Sequence, residues 1–293
     1  MLRGRSSFMK RYYHICSPGL ERNLIFACEE DFISGVNDIA ICLTKFDVVI
    51  VCFCLMSNHF HFVVYGEEDE CCAFAEEYKR RCSIRMRHAK QEVNALQNIR
   101  IELNEISDEV YLENAIAYVL RNPIAAKINI MPYHYSWSSA DVYFRGDMPI
   151  NGVSVNQLSE RKRHRILKSK LSLPDEYRID EKGMILPESF IDVTITERLF
   201  RHPSRLLFAL ARKIEPDVEL KFGVADKILY TDAELKSLVN ELVVNNFGVL
   251  GISSLTSQQK IKLCVLMKKN FNASIKQISR IARVGVDVLE RIL

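Results

Sequence analysis

The stretch LMSNHFHFVV, residues 55–64, contains the residues that settle the architecture of the first half of the chain. Apolar continuity predicts a buried strand over Phe46 to Leu55, and Ser57-Asn58 is a turn into a second strand, His59 to Tyr65. Strands joined so tightly form an antiparallel hairpin. The two-residue repeat of a strand sends His59 and His61 to one face and Phe60, Phe62 and Val64 to the other, towards packed helices.

Outward from this hairpin, Tyr12 to Ser17 reads as a strand ended by Pro18-Gly19. Cys28 to Leu43 reads as a helix, because Phe32, Val36, Ile39 and Leu43 recur at three- and four-residue steps. Glu68 to Lys90 returns to helical spacing and turns basic in YKRRCSIRMRHAK. Residues 91–107 are polar and give no decisive pattern, and Asp108 to Arg121 forms another helix. This order predicts an α+β unit, a sheet with helices against one face, over residues 1–146. Residues 147–187 form a connector that contains a basic helix. Residues 188–293 form a helical domain, with segments at 188–213, 231–246, 256–270, 274–283 and 286–293. Thr256 before Gln259 and Ser274 before Gln277 are capping-box starts.

A net charge of +3 over 293 residues does not announce a nucleic-acid partner, so the distribution of charge carries that question. Nine cysteines without paired zinc-cage spacing fit a reduced thiol set. The basic opening MLRGRSSFMKRYYHI precedes no apolar run of signal or membrane-spanning length, so the expected location is cytoplasmic.

Two imidazoles on one strand face share a divalent cation when a third ligand arrives from another element, but a bare H-x-H does not stand alone. The second element is YLENAIAYVLRNPIAAKI, residues 111–128, where Tyr111, Ala115, Tyr118 and Asn122 line one helical stripe. Pro123 is expected to end or bend this helix. With that face over the histidines, Tyr118 is placed to attack a phosphodiester and Asn122 to complete a metal site; Tyr111 is the rival nucleophile.

Four motifs occur in order: YYHICSPG with the downstream LIF, CLMSNHFHFVV, YVLRNPIAAKI and YSWSSADVYFRG. Together they make residues 11–146 resemble the single-tyrosine transposases with a histidine-hydrophobic-histidine motif, in particular the REP-associated subgroup. The resemblance implies a ferredoxin-like antiparallel core and a Mg or Mn ion on His59, His61 and Asn122. It also implies Tyr118 as nucleophile, single-stranded or hairpin DNA as substrate, and a 5'-phosphotyrosine intermediate. Where relatives carry an aromatic and basic segment before the tyrosine helix, this chain has NALQNIRIELNEISDEV.

Further DNA contacts are expected from Lys79, Arg80, Arg81, Arg85, Arg87, His88 and Lys90 on one helix, and from Arg161, Lys162, Arg163, His164, Arg165 and Lys168 on the next basic one. The C-terminal SLTSQQKIKLCVLMKKNFNASIKQISRIARVGVDVLERIL has the rhythm of a helix-turn-helix, with Lys276, Arg280, Arg283 and Arg291 as contacts. A solvated charged surface and a buttressing bundle explain the same residues without DNA. Trp137, amid Tyr133, Tyr135 and Tyr143, reads as an anchor that pins a segment onto the core. Taken together, these readings describe a DNA transposase, a monomer or a homodimer without a membrane partner. The alternatives are a silent DNA-binding protein of the same fold and a replication-initiator or relaxase-like nuclease.

Overall fold

The computed structural model describes residues 9–20, 23–88, 96–128, 131–146, 148–212 and 228–293. Strand β1 (Arg11–Cys16), helix α1 (Glu29–Leu43), strands β2 (Val48–Met56) and β3 (His59–Gly66), helix α2 (Glu68–His88) and strand β4 (Glu102–Ile106) follow one another as β-α-β-β-α-β. The four strands form one antiparallel sheet in the order β2-β3-β1-β4, the ferredoxin-like arrangement. The predicted hairpin is present, with Met56 opposite His59 and a register irregularity between Ile50 and Cys52. Edge strand β4 emerges from the stretch whose polar pattern was undecided. It pairs with β1 alone and keeps only its last residue buried, so it carries no apolar signature.

One face of the sheet is aromatic. Phe60 and Phe62 pack edge-on against Tyr78 of α2 at 4.9 Å, and Phe62 meets Phe74 at 5.7 Å. Helix α1 sits equally close, because Gly35 carries no side chain: a Cβ there would lie 2.5 Å from the Phe26 ring and 3.0 Å from Leu55. Phe32 stacks on Phe26 and on Trp137, which therefore pins its segment to the core as expected. That segment also covers the outer edge of β2. The Leu55 amide donates to the Trp137 carbonyl, the Ser139 amide to the Phe53 carbonyl, and the hydroxyls of Tyr135 and Tyr143 to the carbonyls of Leu55 and Val51.

Helix α3 (Glu109–Ala125) lies over the opposite face, packed against β2 and β3. Asp108 caps its start by accepting from the Tyr111 amide. The helix continues past Pro123 to Ala125, so the proline does not end it but lies within its last turn. Helices α5 (Val193–Phe200) and α6 (Pro203–Ala211) pack beside it. The predicted single helix over this stretch is split where Arg201 takes a left-handed conformation (φ 61°) before His202-Pro203. Between these parts a small layer of β5 (Val153–Ser154), α4 (Glu160–Leu167) and β6 (Arg178–Ile179) packs Leu167, Tyr177 and Ile185 against Ala40 and Ile41 of α1.

The C-terminal region is helical: α7 (Asp232–Phe247), α8 (Ser257–Phe271), α9 (Ile275–Ala282) and α10 (Val286–Ile292). Both predicted capping boxes are formed, and a third starts α7 at Thr231 and Glu234. The four helices share a separate core around Leu263, Met267, Ile278 and Leu289. The module is tied to the sheet unit by the Tyr230 hydroxyl on the Ala126 carbonyl (3.1 Å) and by the Ser57 hydroxyl on the Leu229 carbonyl. No described helix is long and apolar enough to cross a membrane.

Candidate metal and tyrosine site

The face beneath α3 is polar where the other is aromatic. Strand register decides which residues share it. His14 and Cys16 of β1 lie two residues apart on one side, and Cys16 stands directly opposite His61 of β3. His61 is in turn opposite Cys54 of β2, and His59 is opposite Met56. On the outer side of β1, Cys16 faces Glu102 of β4, whose carboxylate accepts from the thiol at 3.5 Å.

The imidazoles of His14 and His61 stack at 5.3 Å with 8° between planes, and His14 Nε2 lies 3.1 Å from His61 Nδ1. Ligand atoms of His14, Cys16 and His61 all fall within 4.8 Å of one another, and all three residues are buried. The cluster is capable of holding a divalent cation. His61 Nε2 is buried without a hydrogen-bond partner among the described residues. Burial holds the His14 imidazole down at about 3 and His61 well below its ordinary value, with charge on His59 and His14 adding to the effect at His61. Both rings are therefore neutral at neutral pH, the form that binds metals.

Tyr118 enters from α3. Its ring stands edge-on to His14 at 5.9 Å and to His61 at 5.5 Å. His59 is 5.0 Å from His61, ring to ring, and its Nδ1 is 3.0 Å from Asn58 Oδ1. Asn122, one turn beyond Tyr118, donates its amide to the Tyr118 carbonyl at 3.1 Å. Tyr111 is half-buried against the main core. The structure thus brings His59, His61 and Tyr118 together and adds His14 and Cys16. The added pair lies in YYHICSPG, at H-x-C spacing on a strand, but only the β1–β3 register reveals that it faces His61.

The expected ion was magnesium or manganese. Magnesium takes oxygen ligands, whereas this cluster offers two imidazoles and a thiol, so the donor set does not suit magnesium.

The basic residues divide sharply. Arg81 and Arg85 each reach Asp38 of α1 at 2.6 Å, and Arg85 also covers the Phe26 ring, so α2 spends these charges on holding α1. Lys79 pairs with Glu76 and the Ile99 carbonyl, Arg80 with Glu77, Arg163 with Asn156 and Arg280 with Asp232. Arg87, Arg161, Lys276 and Arg283 are exposed, the last at the left-handed end of α9. Lys90 lies outside the described residues.

No family model and no curated protein matches the chain. Among solved structures, a REP-associated tyrosine transposase bound to a REP hairpin shows weak and partial similarity. The match covers 62% of this chain and 100% of the other at 14% identity, with a TM-score of 0.39.

Proposed function

We propose that this chain is a single-tyrosine DNA transposase that cleaves and rejoins single-stranded or hairpin DNA through a 5'-phosphotyrosine at Tyr118. The observation that carries the reading is the approach of the Tyr118 ring to His14 and His61, on the face of the sheet that also carries the buried Cys16 and His59. In the reaction the Tyr118 oxygen forms a bond to the scissile phosphorus as the bond to the 3' oxygen breaks. The phenol gives up its proton and the departing 3' oxygen takes one. A 3' hydroxyl of another strand then reverses these steps, and Tyr118 is regenerated. The linkage conserves the energy of the broken phosphodiester, so rejoining needs no external energy source.

A divalent ion bound on this face would withdraw charge from the phosphate. His59, His61 and Asn122 are the ligands expected from the sequence, and His14 and Cys16 are those added by strand register. Among the described residues, exposed Arg87, Arg161, Lys162, Arg165, Lys168, Lys276, Arg283 and Arg291 are cations available to meet phosphates outside the active site. In the C-terminal module, α9, the turn at Arg283–Gly285 and α10 follow a helix-turn-helix order.

The test is incubation of the full chain with divalent metal and end-labelled single-stranded hairpin DNAs that include the flanks of its own gene. The expected result on a denaturing gel is a covalent protein-DNA adduct that Tyr118→Phe abolishes and Tyr111→Phe retains. Tight binding without an adduct would favour the silent DNA-binding protein. An adduct lost in Tyr111→Phe alone would move the nucleophile by two turns.

A further inference from the structure

We infer that the ion of this site is a thiophilic divalent metal of the zinc class, held by His14, Cys16 and His61, with Cys16 as a thiolate ligand. The inference deepens the reading above by naming the ion at the same face, and its test does not depend on DNA chemistry.

Three observations carry it. The first is spacing: two imidazole nitrogens on a tetrahedral zinc ion stand about 3.3 Å apart, from bond lengths of about 2.0–2.1 Å. His14 Nε2 and His61 Nδ1 are 3.1 Å apart, hydrogen-bonded in the metal-free chain, and a tautomer shift that moves the intervening hydrogen to the other nitrogen of its ring leaves both lone pairs for an ion. The second is rigidity. All three ligands project from adjacent central strands, where ladder pairing of Cys16 with His61 fixes their relation.

The third is the chemistry of the surroundings. His61 is flanked across the sheet by a sulfur on each side, Cys16 on β1 and Cys54 on β2, and Cys54 Sγ lies 3.7 Å from Met56 Sδ. Soft and borderline donors select zinc-like ions over magnesium. Glu102 accepts from the Cys16 thiol and is therefore placed to receive its proton. On binding, the S–H bond breaks, the sulfur–metal bond forms, and the proton passes to Glu102 or to water. Three protein ligands leave a fourth position open, the arrangement of catalytic rather than structural zinc.

The experiment strips the full chain with a chelator and titrates it with Co(II) as a spectroscopic stand-in for zinc. Expected are ligand-field bands in the visible and a thiolate-to-cobalt charge-transfer band in the near ultraviolet, displaced by stoichiometric Zn(II) and untouched by excess Mg(II). Cys16→Ser should lose the charge-transfer band and weaken zinc binding by more than about tenfold, the loss that follows even from removing an outer partner. Variants of the exposed Cys28 and Cys72 should keep it. No thiolate band, a band that survives Cys16→Ser, or displacement by magnesium would overturn the inference. If Cys16→Ser fails to fold by circular dichroism, His14→Gln decides: loss of the cobalt spectrum supports the site and retention overturns it. Tyr118→Phe should keep the cobalt spectrum whatever becomes of the DNA reaction, so failure of either reading is seen separately.

Discussion

The two faces of the sheet are both buried at their centres and differ in chemistry. Beneath α2, Phe60, Phe62, Phe74 and Tyr78 interlock as an aromatic core. Beneath α3, the equivalent depth holds His14, Cys16, His61, Cys54 and Met56. The aromatic face stabilises the fold by removing apolar area from water. The histidine face opposes it, because the buried His61 Nε2 gives up water without gaining a protein partner among the described residues. The contrast separates the part of the sheet that stabilises the fold from the part that holds the candidate site.

The sharpest way to break this contrast is to truncate each face and compare. Phe62→Ala should cost about 3–5 kcal/mol, because the site closes poorly once a fully buried ring is removed. Urea denaturation of the metal-free chain measures it. A loss below about 1 kcal/mol would mean that the aromatic face does not carry the fold.

Acid should act on the other face. Burial depresses the His14 pKa to about 3 from 6.5, so between these values the unfolded chain binds a proton that the folded chain does not. Stability should therefore fall as pH drops below about 6.5, by about 2 kcal/mol for His14 between about pH 7 and about pH 5. His61, shifted in the same direction, adds to the loss. Among the described residues, His61 and Cys16, Tyr118 from α3, and Asn104 opposite it on β4 lie beside His14, and protonation of His61 would oppose that of His14. Denaturation midpoints of the stripped chain across this range check the slope. A flat profile would show that the two rings are solvated.

A smaller effect of opposite sign is expected when both rings are replaced. The double variant His14→Leu with His61→Leu removes two desolvated imidazoles together, so neither is left without the other. The metal-free chain should then be unchanged or more stable by about 1–2 kcal/mol, and its acid sensitivity should diminish. Cobalt binding should disappear. A loss of stability comparable to Phe62→Ala would make the histidine face a structural element and erase the contrast.

Local periodicity made much of this legible. The two-residue repeat placed His59 and His61 on one side of a strand, and the helical stripe aligned Tyr118 with Asn122; both patterns lie within a dozen residues. The placement of His14 and Cys16 beside His61 depends on pairing across 47 and 45 positions, which no local pattern reports. Cysteine spacing misses such a site, because its ligands are neighbours in the sheet and not in the chain. Arg81 and Arg85 looked like a cationic surface because Asp38, their partner, lies on another helix. Strand β4 escaped because an edge strand, paired on one side only, keeps polar side chains.

The smallest expected effect tests where the histidine face ends. Asn122 sits inside α3 and its amide nitrogen is bonded to the Tyr118 carbonyl of its own helix. Alanine is the better helix former, and the bond lost is a local one, so Asn122→Ala should shift the urea midpoint by no more than about 0.5 kcal/mol in either direction. If the ion is held by the strands, the cobalt spectrum of this variant should match that of the parent, while the yield of any DNA adduct reports a separate role beside Tyr118. If instead the spectrum is lost while the fold remains, the tyrosine helix supplies an essential ligand. The site would then be shared between sheet and helix, and the contrast between a binding face and a covering helix would have to be redrawn.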